Sequence, residues 1–263
     1  MKVLRKFAPI MFIIALITLF CTQLQNNNEQ LAHVMKFNSL YEEASNTPYP
    51  LQNFVYLDTF LTMTNDEGEA TGQIINSASG IAVKGRRNKV YAMTAAHWCA
   101  VDESEYASVF AMINIIYPNH EIKTQKRVAF FGDFYPIEEV YPDVENDVCV
   151  ITFTSPYAHK VKTIKPARSY PEIGEKVYAI SSPLGMFSHE MRLIFDGYFA
   201  GCQEDSIYCF YTLAGVEGSS GSGVLNERGQ LVSILDVSVI NFHEVTGGAK
   251  LESIREMYDT YIR

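Results

Sequence analysis

A histidine at the end of one apolar strand, an aspartate at the start of another and a serine set among glycines are the residues of this chain whose types and settings suit catalysis. His97 closes the run Tyr91-Ala92-Met93-Thr94-Ala95-Ala96-His97, and a tight strand end packed on alanines holds an imidazole in one orientation, as general-base work requires. Asp147 opens Val148-Cys149-Val150-Ile151. A half-buried carboxylate at the lip of such a strand needs hydrogen-bond partners, and an imidazole N–H is one candidate. Ser220 stands in Gly218-Ser219-Ser220-Gly221-Ser222-Gly223. Glycines on both sides allow a strained turn that exposes the hydroxyl and points backbone N–H groups into one small hollow, as an oxyanion hole needs. Taken singly, each has an ordinary explanation: a satisfied core histidine, a strand-end turn former, a flexible loop. Together, in the chain order His, Asp, Ser, they make the base, orienting acid and nucleophile of acyl transfer.

Positioning three such groups requires a scaffold of strands and turns. Short β-rich runs are expected at 54–62, 72–75, 80–83, 90–94, 107–116, 126–131, 148–153, 176–180, 193–199, 207–212, 223–226 and 231–239. Turn chemistry separates them at Asn65-Asp66-Glu67-Gly68, Lys84-Gly85-Arg86-Arg87-Asn88 and Asn226-Glu227-Arg228-Gly229. So many short strands indicate β-barrels or a sandwich. The one strong helix in this part is terminal, where Leu251, Ile254, Met257 and Tyr258 share a face.

The first residues have a different texture. Lys2, Arg5 and Lys6 precede an apolar run over 7–24, the layout of a secretory signal and just long enough to span a bilayer. A retained membrane anchor and a cleaved signal both fit, and either exports the rest of the chain. Residues 26–50 are polar and Gln/Asn-rich and read as a stalk.

The chain has 263 residues and carries 21 Lys+Arg against 30 Asp+Glu, a net charge of −9. That balance does not suit a phosphate backbone, so nucleic acid is not an expected partner. A composition 48% hydrophobic and 19% charged supports a large core. Five cysteines without a CxxC rhythm exclude a zinc ribbon. Cys99 reads as free and Cys149 as a core residue. Cys202 and Cys209 could close the mouth of a hairpin, which the sequence leaves open. His33, His120, His159, His189 and His243 show no metal-ligand spacing, so neither metal nor cofactor is expected.

With these strings in place, the chain resembles the trypsin-like serine proteases of the chymotrypsin superfamily, and most closely their HtrA-type bacterial branch. Thr94-Ala95-Ala96-His97, Asn146-Asp147-Val148 and Gly218-Ser219-Ser220-Gly221 are similar to the family's His, Asp and nucleophile motifs. The stretch from Gly174 to Gly185 is similar to the HtrA opening of the second barrel, and Asn226 to Gly229 to its hairpin. The likeness runs from about residue 54 to 240. It implies an all-β fold of two antiparallel six-stranded barrels, with a C-terminal helix after them and an N-terminal hydrophobic helix before. The expected division is signal or anchor 1–25, stalk 26–50 and protease domain 51–263. Within the last, the first barrel covers about 51–160, the second about 161–248 and the helix about 249–262. Catalysis would fall to His97, Asp147 and Ser220, with the N–H groups of Gly218 and Ser220 as oxyanion hole and a polypeptide as substrate.

Departures from the family pattern carry expectations of their own. Ser219 replaces the Asp that meets a freed N-terminus in the chymotrypsin branch, so no zymogen cleavage of that kind is expected. Ala214, six residues before the nucleophile, stands where trypsins carry a selecting Asp; with Ser233 it is assigned to an uncharged primary pocket preferring small or medium apolar side chains. Too few residues follow Ser220 for a PDZ module. The competing reading is a catalytically silent, protease-like module that holds peptides at a membrane.

Overall fold

The computed structural model describes residues 49–65, 67–100, 107–116, 121–188, 191–239 and 242–263. The expected signal or anchor and nearly all of the stalk lie outside them, as do His33, His120 and His189. The N-terminal hydrophobic helix assigned to 7–24 also falls outside. Among the described residues no helix is long and apolar enough to cross a membrane.

Strand β7 (Val148–Thr154) shows why the apolar runs become central strands: its first six residues are all buried, as in a sheet covered on both faces. It belongs to an open seven-stranded sheet built from β1 (Phe54–Thr64), β2 (Ala70–Arg86), β3 (Lys89–Thr94), β4 (Glu121–Phe130), β5 (Asp133–Pro136), β6 (Glu139–Asp143) and β7, in the order β5-β4-β1-β2-β3-β7-β6. The second half is a closed barrel in the order β10-β13-β12-β11-β8-β9, from β8 (Lys176–Ser181), β9 (Leu193–Cys202), β10 (Tyr208–Tyr211), β11 (Gly223–Asn226), β12 (Leu231–Val239) and β13 (Phe242–Ala249).

Two six-stranded barrels are therefore not what forms; one half closes and the other stays open. Closing the first sheet needs a β5–β6 ladder, and the chain between them does not turn back. Ile137 and Glu138 lack the positive φ of a tight hairpin, and the Glu138 N–H already donates to Thr152 O of β7 at 2.9 Å. Pro136 and Pro142 remove donors from the two strands, which suits edges.

Three further expectations change. The expected strand 107–116 is helix α2 (Ala107–Ile116), which follows the short α1 (Ala96–Cys99); an unbroken apolar run has no period that separates the two forms. Its Met112 and Ile115 are exposed. The runs 72–75 and 80–83 merge into the single 17-residue β2. Strands β5, β6 and β13 were not expected at all. The terminal helix α3 (Leu251–Tyr261) is present, with Leu251, Ile254, Met257 and Tyr258 buried.

The open sheet buries its two faces differently. Val55, Leu57, Val90, Ala92, Ile151 and Phe153 form a core of their own inside the curl. Ile81, Val83, Met93, Val148 and Val150 pack instead with Leu225, Leu231 and Ile234 of the barrel and Ile254 and Met257 of α3. Alternation along each strand thus feeds both the sheet's interior and its seam with the barrel. At that seam a Cβ on Gly223 would lie 2.6 Å from the Ile81 side chain, so β11 can press against β2 only as glycine. Within the sheet, Asp58 is fully buried and takes two hydrogen bonds from Arg127, both at 2.9 Å, while the guanidinium lies 3.8 Å from the Phe60 ring centroid and 4.4 Å from that of Phe134. Desolvation raises the Asp58 pKa and Arg127 opposes it, the balance expected of a buried pair.

Candidate active site

Strand β3 ends at Thr94 and α1 begins at Ala96, with Thr94, Ala95 and Ala96 all buried, so the imidazole of His97 leaves the sheet from a rigid corner. Asp147 precedes β7, the neighbour of β3. It adopts φ 53°, a left-handed conformation that Asp tolerates better than most residues. Its approach is set by Asp143, whose carboxylate accepts from the Asn146 N–H at 3.2 Å and the Asn146 amide at 2.8 Å. As a result both Asp147 oxygens meet His97. Oδ1 accepts the backbone N–H at 2.7 Å, and Oδ2 lies 2.7 Å from Nδ1. The contact fixes Nδ1 as the protonated nitrogen of a neutral ring and leaves Nε2 to accept.

A covalent link accompanies this pair. Cys99, read as free from the sequence, is joined to Cys149, with 6.6 Å between Cα atoms. The bridge spans 50 residues and joins α1 to the strand that follows Asp147, so no local spacing of cysteines reveals it. Cys202 and Cys209 are also joined, across paired positions of β9 and β10.

Ser220 lies in a loop held by its backbone. Gly218 and Gly221 both take φ +86°. The Ser219 N–H donates to Val216 O at 2.9 Å and the Gly221 N–H to Leu235 O at 2.6 Å. Neither the Gly218 nor the Ser220 N–H donates to another described residue. A Cβ on Gly221 would lie 2.1 Å from Ser79 O and from Thr94 Oγ1, and 3.1 Å from Ala95 N. The serine loop therefore rests directly on the corner that launches His97. The Ser220 hydroxyl donates to Asp236 O at 3.3 Å.

A cavity of about 260 Å³ opens beside Ser220, between the 215–220 segment and residues Leu235 to Ser238, with Thr246 also contributing. Ala214 is exposed and does not line it. Ser233 is fully buried on β12 and its hydroxyl donates to Ala249 O at 2.7 Å, away from the cavity lining. Asp236, which sequence reasoning passed over, does line it. Asp236 falls at a register break between Leu235 and Val237 where β12 pairs with β13, and such bulges re-aim a side chain. Both of its carboxylate oxygens are buried without a hydrogen-bond partner. Burial holds its pKa well above the ordinary carboxylate value and the charge of Asp147 adds to this; the Ala249 N–H, outside hydrogen-bonding geometry, offsets part of it. Burial therefore favours the uncharged form of the Asp236 carboxyl to a higher pH than for an ordinary carboxylate.

Ser79 was also missed. Its N–H donates to Ser220 O at 2.8 Å and its hydroxyl to Gly218 O at 2.8 Å. The only sequence signal was its place among small residues, Ser77 to Gly80.

A protein-family model described as a trypsin-like peptidase domain matches residues 78–234. Comparison with curated proteins finds no match. The family match spans more than half of the chain and takes in His97, Asp147 and Ser220, so this protein belongs to the trypsin-like peptidases and is a serine-type endopeptidase.

Proposed function

We propose that the chain cleaves peptide bonds through an acyl-enzyme, with Ser220 as nucleophile, His97 as general base and Asp147 as the group that holds the imidazole tautomer. The observation that carries this reading is the 2.7 Å contact between Asp147 Oδ2 and His97 Nδ1, at a corner against which the Ser220 loop is packed. As Ser220 Oγ bonds to the substrate carbonyl carbon, its proton passes to His97 Nε2 and the carbonyl electrons move to oxygen. The unengaged N–H groups of Gly218 and Ser220 receive that oxyanion. Collapse breaks the C–N bond, and the leaving amine takes the proton from His97. Water then repeats the sequence on the ester and frees Ser220.

Within the family we place the chain near the HtrA-type branch. Support comes from the Asn226–Gly229 turn, in which the Asn226 carboxamide accepts the N–H groups of Arg228 and Gln230 at 3.1 and 3.0 Å. Two disulfides support work in an oxidising, extracytoplasmic compartment.

One observation favours the silent, peptide-holding alternative: the Ser220 hydroxyl is turned to Asp236 O. A rotation about χ1 redirects it, and catalytic hydrogen bonds often tighten only when substrate is bound. A serine-directed fluorophosphonate decides between the two. An active enzyme is labelled at Ser220, whereas a chain that only binds peptide leaves Ser220 unlabelled.

A further inference from the structure

Ser79 sits on β2 of the open sheet, on the far side of the seam from the barrel loop that carries Gly218 and Ser220. It is fully buried, and every polar atom it owns is engaged. Its N–H donates to Ser220 O at 2.8 Å, and its carbonyl accepts from Thr94 Oγ1 at 2.8 Å. Its hydroxyl donates to Gly218 O at 2.8 Å and accepts the Ser182 N–H at 2.9 Å, with Ser182 Oγ also at 2.9 Å. A hydroxyl has one proton and two lone pairs. Since the proton goes to Gly218, the Ser182 hydroxyl must donate as well, which fixes the Ser79 Oγ–H direction completely.

The two carbonyls held by Ser79 belong to the two residues whose N–H groups are unengaged. In a trans peptide the C=O and N–H point opposite ways. The peptide that ends in the Gly218 N–H has its carbonyl, Glu217 O, tied to the Leu184 N–H at 2.6 Å, so the Gly218 N–H points away from Leu184. The next peptide is held on its carbonyl side by Ser79, the one donor to Gly218 O among the described residues, and on its other side by the Ser219 N–H, which donates to Val216 O at 2.9 Å. Gly218 has no Cβ to resist rotation, and at φ +86° a Cβ there would lie 2.6 Å from Ser182 O, so no other residue can lend it stiffness. Release of Gly218 O removes one of the two holds on that peptide and loosens the Gly218 torsions that set how the Gly218 and Ser220 N–H groups lie relative to each other.

We propose that Ser79 is a positioning residue for the oxyanion hole, clamping the Gly218 and Ser220 carbonyls from the opposite sheet so that both N–H groups stay aimed at one point. The inference rests on the reading in which those N–H groups receive the oxyanion. It also gives the seam a role in the reaction: the sheet that supplies His97 and Asp147 holds the barrel's oxyanion loop in shape.

The test uses the full chain with p-nitrophenyl acetate as acyl donor and a fluorophosphonate as covalent probe. Ser79→Ala is expected to lower kcat about tenfold, less than the 10²–10³ lost when an oxyanion donor is removed outright. KM should change less than twofold, the fluorophosphonate rate should fall with kcat, and the acid limb of the pH profile should stay in place, because His97 and Asp147 are untouched. Ser79→Thr and Ser79→Val form a pair of equal bulk differing by the hydroxyl; the Thr variant should turn over several times faster than the Val variant at matched melting temperature. If Ser79→Ala keeps kcat within twofold, or if Thr and Val variants are equal, the inference is overturned while the protease reading stands. A wild-type chain that takes no label at Ser220 overturns both.

Discussion

Cys99 and Cys149 are bonded to each other, and each lies two residues beyond a member of the hydrogen-bonded pair His97 and Asp147. The disulfide thus ties the end of α1 to β7, the strand that Asp147 opens. Breaking it by the double substitution Cys99→Ala and Cys149→Ala is expected to cost about 2–4 kcal/mol of stability, as for a bridge closing a loop of this size. Turnover should also fall at temperatures where the variant is still folded. Urea unfolding followed by activity assays at 10 °C checks both, and an unchanged midpoint contradicts the structural role.

Asp147 holds the His97 ring through Nδ1. Asp147→Asn keeps the shape but presents an N–H or a weaker acceptor to that nitrogen, which disfavours the tautomer with Nε2 free. A loss of about 10³–10⁴ in kcat is expected with little change in KM. Steady-state kinetics on a chromogenic ester measures the split, and a loss below tenfold removes Asp147 from the role.

Gly221 leaves no space for a side chain, since a Cβ would meet Ser79 O and Thr94 Oγ1 at 2.1 Å and φ is +86°. Gly221→Ala should push the serine loop off the His97 corner. Activity is expected to drop by at least a hundredfold, and stability by about 1–3 kcal/mol from strain. Thermal melting beside fluorophosphonate labelling separates the two effects; a fully labelled variant contradicts the packing argument.

Asp236 makes stability depend on pH in a stated direction. An unfolded Asp releases its proton near pH 3.9, whereas the folded carboxyl keeps it to a higher pH. Between those values the folded chain binds the extra proton, so stability falls as pH rises through that window. Asp236→Asn should match wild type at about pH 3.5 and be more stable by roughly 1–3 kcal/mol at neutral pH, the scale of an unpartnered buried polar group. Denaturant unfolding at the two pH values is the measurement, and a difference independent of pH excludes the carboxyl as its cause.

The cavity beside Ser220 is bordered by Val216, Leu235 and Val237, and burial favours the uncharged form of its Asp236 carboxyl. Small or medium apolar side chains are therefore expected before the cleaved bond. A peptide library in which Lys or Arg dominates that position contradicts this, and directs attention to the exposed Glu217 at the same cavity.

Local patterns were most readable where one residue type can satisfy the backbone or the face. The terminal helix was legible because Leu251, Ile254, Met257 and Tyr258 fall on one side, and β11 and β12 because apolar runs are bounded by the Asn226–Gly229 turn. The segment 107–116 was misread because Ala-Ser-Val-Phe-Ala-Met-Ile-Asn-Ile-Ile is apolar almost throughout, so neither period stands out. Strands β5 and β6 were missed because each is short, carries proline and lies at a sheet edge. At the site, the His97, Asp147 and Gly218–Gly221 strings were visible because strand ends and positive-φ glycines leave a local trace. Ser79 left none: a serine among small residues looks the same whether its hydroxyl is idle or clamps a carbonyl 139 residues away.

By itself the sequence determined which groups can do the chemistry and in what order they follow, because an imidazole, a carboxylate, a hydroxyl and flanking glycines are properties of residues. Only the tertiary structure decided how those groups are held. The left open edge of the first sheet, the bond between Cys99 and Cys149, the burial of Asp236 at a register break and the reach of Ser79 across the seam all depend on which distant backbones become neighbours. That choice is made by the packing of two sheet faces against each other, which no local pattern encodes.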